Sequence, residues 1–442
     1  MKNSSKHLYL SSLILFSFCF SLLAQEEKII PERIFTLKES LEQAALTCPS
    51  LKRTKEDIQI AEHRVTEAYA MGWPQLDLNA NYTRYKAQSL FVLPPTYGNI
   101  LLPPNGLEKD FYAARLSFSQ LIYSGGRYRD TCNLAQSHLE RTKNEYNQAL
   151  NQVLFNTAKA FYDLLFLKKK LAIYQNLIAA EKKFLTGLPE TQRSRYQEET
   201  MKLRIEELQN ELIDYKNDYD LGRLNFLDTI GLELNTIIDI QGDLEPISEK
   251  IDLYKLVALA FEQRPERLLV QAQERMDALS LNLSQAERNP TITFGANYQW
   301  EGEITPLRQK DWNTTLNLNI PIFDGRAKWA KVRQKKGQVE KVKLTKTEID
   351  DQIRLEVAQA STEYNYWQEQ TSNRTKELAN TEKLLPMAQD ELQNKRIRPD
   401  DFFLFIKNYW LCRLRRLESV HKLLTARAKL DQAVGNFWKT KK

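Results

Sequence analysis

Side chains able to carry catalysis or hold a metal ion are few in this sequence, and their spacing suits neither task. The four histidines lack the H-x-x-x-H spacing of a zinc site on a helix: His7, His63, His138 and His421. The chain also has no G-x-x-x-x-G-K phosphate loop, no G-x-G-x-x-G and no G-x-S-x-G. We therefore expect no catalytic residue, no metal, no cofactor and no enzymatic activity.

The charged residues are numerous but balanced. In all, 63 Lys and Arg against 57 Asp and Glu give a formal net charge of +6, with the two signs interleaved along helical stretches. We expect no nucleic-acid binding, because no basic tract stands out. Beyond the first apolar segment, Cys48, Cys132 and Cys412 are odd in number and lack C-x-x-C spacing. This pattern indicates small buried side chains and not a disulfide framework.

The first two dozen residues have the pattern of a secretory signal. Basic residues precede an uncharged apolar stretch from Leu8 to Leu23, which ends just before polar Gln25. We predict a signal peptide over residues 1–24 and a mature chain outside the cytoplasm. An alternative is a lipid anchor on Cys19, although Phe18 puts a bulky ring where a small residue is wanted.

The distribution of helix breakers predicts very long helices. Residues 127–186, 190–221 and 400–434 contain neither glycine nor proline, and residues 326–385 contain only Gly337. At about 1.5 Å per residue, a helix of about 60 residues is roughly 90 Å long, far beyond the globular average. Such helices are rods and not packing elements of a compact domain.

Apolar residues inside two of these rods recur at alternating spacings of four and three. The first set is Leu154, Ala158, Phe161 and Leu165, and the second is Ile353, Val357, Ala360, Tyr364 and Trp367. This period predicts a coiled-coil seam. A soluble coiled-coil protein would show the same period.

The sequence contains an internal duplication. A shift of 216 residues aligns Leu37 with Leu253, Pro49 with Pro265, Pro74 with Pro290, and residues 80–82 with 296–298. Farther on the shift is 200, where residues 116–125 match 316–325, so the first half has the longer loop. We predict two repeats, over residues 25–240 and 241–442, each with a helix, two strands and two longer helices.

We place strands at about 75–84, 112–123, 291–301 and 312–323. Long helices are expected at about 126–186, 190–232, 326–385 and 399–435, with a shorter helix over 252–288. The strands alternate between apolar and polar residues, so each presents two different faces. The apolar face carries Leu76, Leu78, Tyr82, Leu116, Phe118, Ile292, Phe294, Tyr298, Trp300, Leu316, Leu318 and Ile320. The polar face carries Asp77, Asn79, Asn81, Ser117, Ser119, Thr293, Asn297, Asn317 and Asn319.

A half-buried sheet in a soluble protein would also alternate between apolar and polar residues. Two features indicate instead that these strands cross a membrane. The strands have about the ten residues needed to cross hydrocarbon on a tilt. Aromatic residues are placed at strand ends, as at a membrane interface: Trp73, Tyr82, Tyr123, Trp300, Trp312 and Phe323. The apolar face would then contact lipid and the polar face would line a pore.

The predicted strands are too few to span a membrane within one chain. No run of about 18 apolar residues follows the first segment, so membrane insertion would use strands. The smallest membrane barrels have about eight strands, and an open sheet edge in lipid leaves backbone groups unpaired. We therefore expect oligomers, and two, three or four copies are all compatible with this argument.

Several segments together resemble a known family. They are residues 37–49 (LKESLEQAALTCP), 73–76 (WPQL), 121–127 (LIYSGGR) with its echo 321–326 (PIFDGR), and 158–165 (AKAFYDLL). In this order, and duplicated, they resemble the TolC family of outer-membrane efflux proteins over about residues 35–435.

The resemblance implies a mixed α and β membrane protein of the bacterial outer membrane. In a homotrimer, four strands per chain would form a shared 12-stranded transmembrane barrel, and the long helices a periplasmic α-barrel. The implied function is a passive conduit of a tripartite efflux or type I secretion system, fed by a periplasmic adaptor protein and an inner-membrane transporter. The alternatives are a periplasmic coiled-coil adaptor and a structural protein without a pore, and the duplicated strand pairs argue against both.

The resemblance also implies a periplasmic gate at the start of the last long helix of each half. Asp401 matches a constriction aspartate of the family, whereas the second family position falls on Leu404, so Asp400 and Asp401 are the candidate gate. Both aspartates could instead stabilise a helix N-terminus behind Pro399. The equivalent first-half stretch is residues 195–199, and the glycine usual before this helix is missing in both halves. Adaptor contacts at the tips are therefore left open.

Overall fold

The computed structural model describes residues 33–87, 107–187, 194–246, 249–302, 305 and 307–435, so the predicted signal segment lies outside the described residues. The first half contains β1 (Arg33–Phe35), α1 (Leu37–Thr47), α2 (Pro49–Ala70), β2 (Gln75–Ala87), β3 (Leu107–Tyr123), α3 (Arg127–Gly187) and α4 (Arg195–Thr229). The second half contains β4 (Ile238–Ile240), α5 (Leu253–Gln263), α6 (Pro265–Ala286), β5 (Thr291–Gly302), β6 (Gln309–Asn319), α7 (Ala327–Gln393) and α8 (Pro399–Val434).

The predicted duplication is evident in these elements. Helices α5 and α6 begin and end 216 residues after α1 and α2, and α7 begins 200 residues after α3. The local signals are alike in both halves, since α2 and α6 each begin with a proline, which needs no intrahelical hydrogen bond there. Helix α1 begins with a capping box of Thr36 and Glu39, and α5 with the Asp252 carboxylate accepting from the Tyr254 N–H.

Four long strands form one antiparallel sheet in the order β2-β3-β5-β6. The two hairpins, one from each half, join through β3 and β5. Strands β2 and β6 are the edges, and neither pairs with a further strand among the described residues. The short strands β1 and β4 pair in parallel elsewhere in the chain.

The long helices pack as antiparallel neighbours. Helix α4 folds back along α3, α8 folds back along α7, and α8 also packs against α3. Nearer the sheet, α3 and α7 instead pack against the short helices α2 and α6. No helix among the described residues has both the length and the apolar character needed to cross a membrane.

The predicted seams are buried between these helices. Leu154, Ala158, Phe161 and Leu165 are each at most 2% exposed, and so are Ile353, Val357, Ala360 and Tyr364. The first set shares a core with α1, α4, α8 and the β1-β4 pair, and the second shares one with α5 and α8, against which Trp367 also packs. The prediction of a coiled-coil seam is confirmed.

Proline explains two differences from the predicted helices. The helix expected over 252–288 is two helices, α5 and α6, because Pro265 forces Arg264 into an extended conformation with ψ of 123°. The helix expected to end at 385 continues through Pro386 to Gln393. A proline removes one helical hydrogen bond, and the packing of Leu392 in the apolar core beyond it offsets that loss.

Other boundaries also differ. Strand β6 runs from Gln309 to Asn319 and not over 312–323, since Pro321 has no N–H to give a ladder. Helix α4 begins at Arg195, after a Ser194 capping box, and it ends at Thr229 before Gly231, whose φ is +67°. Strand β3 begins earlier than predicted, at Leu107.

Candidate functional site

The apolar residues predicted to share one face of the sheet do share it. In an antiparallel sheet, residues directly opposite one another point to the same side. The register pairs Leu78 with Leu116 and Leu116 with Tyr298, and it pairs Phe294 with Leu316 and Ile292 with Leu318. Much of this face is exposed in the single chain: Leu78 69%, Leu316 70% and Trp312 74%. The face therefore needs apolar surroundings that one chain does not supply.

The opposite face forms continuous polar rows across all four strands. One row is Asp77, Ser117, Asn297 and Asn313, where Asn297 Nδ2 donates to Asn313 Oδ1 at 3.0 Å. The polar residues predicted from the sequence lie on this face together, with the register shifting only near Leu121. A sheet with one apolar and one polar face fits between a lipid-like and an aqueous environment.

Charged residues on the polar face were missed by the sequence analysis. The next row is Asn79, Arg115, Gln299 and Asp311, and Arg115 donates from Nε and a terminal nitrogen to Gln299 Oε1 at 3.0 and 2.8 Å. Glu301 lies in the row beyond and accepts from Gln299 Nε2 at 2.5 Å. Arg115 and Glu301 lie within the predicted strands 112–123 and 291–301 but were not assigned to the polar face, and Asp311 lies one residue before the predicted strand 312–323. Continuing the alternation outward along the same strands would have found them.

The aromatic residues form two levels along the sheet. Trp73, Tyr123 and Phe323 lie at the helix end and are 72%, 48% and 86% exposed. The second level pairs Tyr82 with Tyr112, whose ring centroids are 5.1 Å apart, with Trp300 two residues nearer the helix end. Tyr298 and Trp312 face each other four residues nearer the helix end, in the row of Leu116. Trp312 thus lies within β6 and not at its end as expected. Eleven residues separate the levels on β3, about 25 Å once a tilt of about 45° is allowed for.

At the other end of the molecule, α3, α4, α7 and α8 meet in a tip that contains the candidate gate. Asp400 and Asp401 both lie in the first turn of α8. Asp400 Oδ2 accepts from Gln197 Nε2 of α4 at 2.5 Å, beside a cavity of about 410 Å³ between α4 and α8. Asp401 forms an ion pair with Arg398 at 3.1 Å, and this hydrogen bond holds the pKa of Asp401 below its usual range. The first-turn placement is what helix stabilisation requires.

An apolar core closes the tip around a buried carboxyl. The Phe184 ring of α3 lies 5.1 and 6.0 Å from the rings of Phe402 and Phe403 of α8. Glu181, one turn earlier, is 0% exposed, and neither of its oxygens has a hydrogen-bond partner among the described residues. Burial raises its pKa to about 7, against the opposing effect of Arg204 and Lys407.

Glu181 was also missed by the sequence analysis, although a signal was present. The residues three and four positions away on either side are all apolar: Leu177, Ile178, Phe184 and Leu185. On a helix these positions share a face with Glu181, so the pattern places its carboxyl toward the core. Among the described residues, no group of His, Cys, Asp or Glu is arranged to hold a metal ion.

Known proteins share both sequence and architecture with this chain. The outer membrane protein TolC of Salmonella enteritidis is 23% identical over 341 residues, which are 71% of this chain and 63% of that protein. The chain thus spans less than two thirds of that relative's length. No family model matches the sequence.

Solved structures extend the likeness to almost the whole chain. The Campylobacter jejuni CmeC outer membrane channel superposes with a TM-score of 0.76 at 14% identity, covering 92% of this chain and 87% of that one. The outer membrane protein VceC of Vibrio cholerae superposes with a TM-score of 0.74 at 16% identity, covering 91% and 96%. At such low identity the shared property is the fold. The chain therefore has the fold of the TolC family, and the resemblance predicted from its sequence is confirmed.

Proposed function

We propose that this chain is the protomer of a bacterial outer-membrane channel that extends into the periplasm. The observation that carries the proposal is the sheet, with its exposed apolar face, its hydrogen-bonded polar face and its two edges, neither of which is paired within the described ranges. Copies of the chain complete one another when β6 of one pairs with β2 of the next, since an open edge in lipid is costly. We take the assembly to be a homotrimer with a 12-stranded barrel.

The channel would act as a passive conduit and not as an enzyme. Substrates would enter from a periplasmic adaptor protein and an inner-membrane transporter, in an efflux or type I secretion system. The polar rows around Asn297 and Arg115 would line the pore, and the Leu78 and Leu316 face would contact outer-membrane lipid. Asp400 and Asp401 are proposed as the periplasmic gate, where three copies would gather negative charge on a narrow pore.

The experiment that tests the proposal combines oligomeric state with conductance. The full chain is extracted from the membrane fraction in detergent and run on a denaturing gel with and without heating. We expect a trimer band that heating converts to the monomer, and discrete conductance steps when the unheated protein is added to planar lipid bilayers.

Two results would contradict the proposal. A chain that purifies without detergent as a soluble monomer would remove the transmembrane barrel. A membrane-bound oligomer that never conducts would favour the alternative of a coiled-coil adaptor or structural protein. Heated protein added to the same bilayer is the control for detergent artefacts.

A further inference from the structure

The charge along α7 is concentrated at its sheet end, which the whole-chain composition conceals. Residues 326–346 contain nine Lys and Arg side chains and one acidic side chain, Glu340. The duplicated stretch at the start of α3, residues 126–146, contains four basic and three acidic side chains. The expectation that no basic tract stands out is therefore wrong for this segment. Only the second repeat has the excess, so the shared fold does not require it.

The segment that joins β6 to this basic stretch is apolar and exposed. Strand β6 ends at Asn319, and Ile322 and Phe323 are 93% and 86% exposed before α7 begins. Trp329, in the first turn of α7, is 59% exposed, and the Arg288 guanidinium lies 3.9 Å above its ring. Cations lie on both sides of this tryptophan, and Asp324, which accepts from the Lys328 N–H, is the one acidic residue between the apolar segment and them. Apolar residues followed by a tryptophan among cations suit a chain that leaves hydrocarbon through the interface into headgroups.

Six of the nine cations have no ion pair among the described residues; two of these are set aside, since Lys335 donates to Gln338 and Lys341 lies farther along α7. We call Arg326, Lys328, Arg333 and Lys336 the basic collar; three are exposed and Lys328 is half-buried. Their neighbours on the same helix differ, since Lys331 pairs with Glu287, Lys343 with Glu340 and Lys346 with Glu274. The collar thus presents positive charge that the chain itself does not neutralise.

The collar lies within electrostatic reach of a membrane that contains the sheet. It spans about 15 Å along α7 at about 1.5 Å per residue. A headgroup layer is about 5 to 8 Å thick, and the Debye length is about 8 Å at physiological salt. The sum of these two distances is close to the length of the collar, so most of the collar lies where it can interact with headgroup charges. Basic residues placed this close to a bilayer attract anionic lipids.

We propose that the basic collar binds anionic phospholipid headgroups of the leaflet on the helix side of the sheet. The inference rests on the proposed insertion of the sheet into a bilayer, and it adds a lipid class that this surface would select. Because the collar belongs to the second repeat alone, each protomer would have one such site.

The test compares lipid binding by the detergent-solubilised oligomer and by a variant with Lys328→Gln, Arg333→Gln and Lys336→Gln. Arg326 is left unchanged because its φ of 72° already strains the backbone. Native mass spectrometry counts bound dioleoylphosphatidylglycerol and dioleoylphosphatidylcholine, titrated in parallel. We expect the unmodified oligomer to bind phosphatidylglycerol more tightly than phosphatidylcholine. In the variant, the ratio of the two affinities should fall about tenfold.

The matched control removes the same charge far from the sheet. Lys376→Gln and Lys383→Gln on α7, with Lys422→Gln on α8, change three exposed lysines in the part of the helices remote from β6. This control should keep the lipid preference of the unmodified chain. In the unmodified chain, raising NaCl to about 0.5 M should weaken the preference, because salt screens exposed charge.

Three outcomes would overturn the proposal. The collar variant could retain the full preference, or the control could lose as much. The collar variant could also keep its lipid preference and dissociate on the gel, which would mean that a neighbouring protomer covers the collar. Single-channel conductance is measured on every variant, so a conducting oligomer without lipid preference refutes the collar and leaves the proposed channel standing.

Discussion

Glu181 is a carboxyl whose surroundings disfavour the charged state that a carboxyl normally adopts. A carboxyl removed from water without a hydrogen bond favours its neutral form, since the charge is poorly solvated in an apolar core. The pKa of about 7, against a usual 4.5, corresponds to roughly 3 kcal/mol between the two protonation states. The charge state of one buried side chain thus bears on how tightly α3, α4 and α8 close the tip.

We predict that Glu181→Gln makes the packing of the tip independent of pH. The packed tip holds the proton more tightly than an opened tip, so its stability is complete below about pH 4.5 and falls as the pH rises to about 7. Hydrogen exchange of amides in the last turns of α3, corrected for intrinsic rates, should show protection falling by up to roughly 50-fold between pH 5 and 8. In the variant, protection should be flat.

The matched control is Glu206→Gln, an exposed carboxyl on α4. It should leave the pH dependence of the unmodified chain in place. A variant at position 181 that still loses protection over the same pH range would show that another group is responsible.

At the candidate gate, we predict that Asp400→Ala with Asp401→Ala raises single-channel conductance in planar bilayers. The change removes the bond from Gln197 to Asp400, which ties α4 to α8, together with negative charge at the tip. The matched control is Asp390→Ala with Glu391→Ala, which removes two exposed carboxylates from the last turns of α7 and leaves the Gln197 bond to Asp400 in place. Unchanged conductance and cation selectivity in the aspartate variant would remove the gate and leave the fold intact.

Residue roles were predictable where a pattern extends along an element. The alternation in the strands predicted Leu78 and Asn297 on opposite faces, because burial on one side imposes a period of two. Arg115 and Glu301 lie within the predicted strands, and they were missed because the polar face was assigned only over the central residues of each strand. The partner of Asp400 could not be predicted, since Gln197 is 203 residues away and no local rule connects the two.

At the scale of elements, a charged residue introduced on the apolar face of the sheet should lower stability more than one introduced on the polar face. We predict that Leu116→Lys costs about 2–4 kcal/mol of stability, as for a cation on the lipid face near mid-bilayer. Ser117→Lys, one residue along β3, should cost much less, because it lies opposite Asp77 on the polar face. Urea unfolding from lipid vesicles, followed by tryptophan fluorescence, measures both. Equal costs for the two variants would contradict the assigned faces.

The helix lengths could be predicted from the absence of glycine and proline. The errors arose at prolines, because the effect of a proline also depends on the residues that pack around it. Pro265 does begin a new helix, because Arg264 adopts the extended conformation that proline favours in the residue before it. Pro386 does not end α7, since Leu392 beyond it packs against the apolar core of the tip. Sequence gives the local preference, and tertiary packing decides which preference prevails.

At the scale of the whole molecule, the sequence predicted the architecture because each level of pattern agreed with the next. Duplication, rod length, seam period and strand alternation all indicated four strands joined to long helices. The number of copies was not predictable, since eight, twelve or sixteen strands can each close a barrel. The choice depends on how the helices of neighbouring copies pack, and one chain does not contain those contacts.

The register of β3 against β5 sets the order of events when the chain is made. Arg115 meets Gln299 across 184 residues, so the first hairpin has no strand partner from its own chain until the rest of the first half and about 60 residues of the second have followed it. During that interval its edges are open to any extended segment nearby, including other newly exported chains. Long-range pairing of this kind is slow. We therefore expect unfinished hairpins of different copies to pair with one another unless their edges are covered before β5 is made.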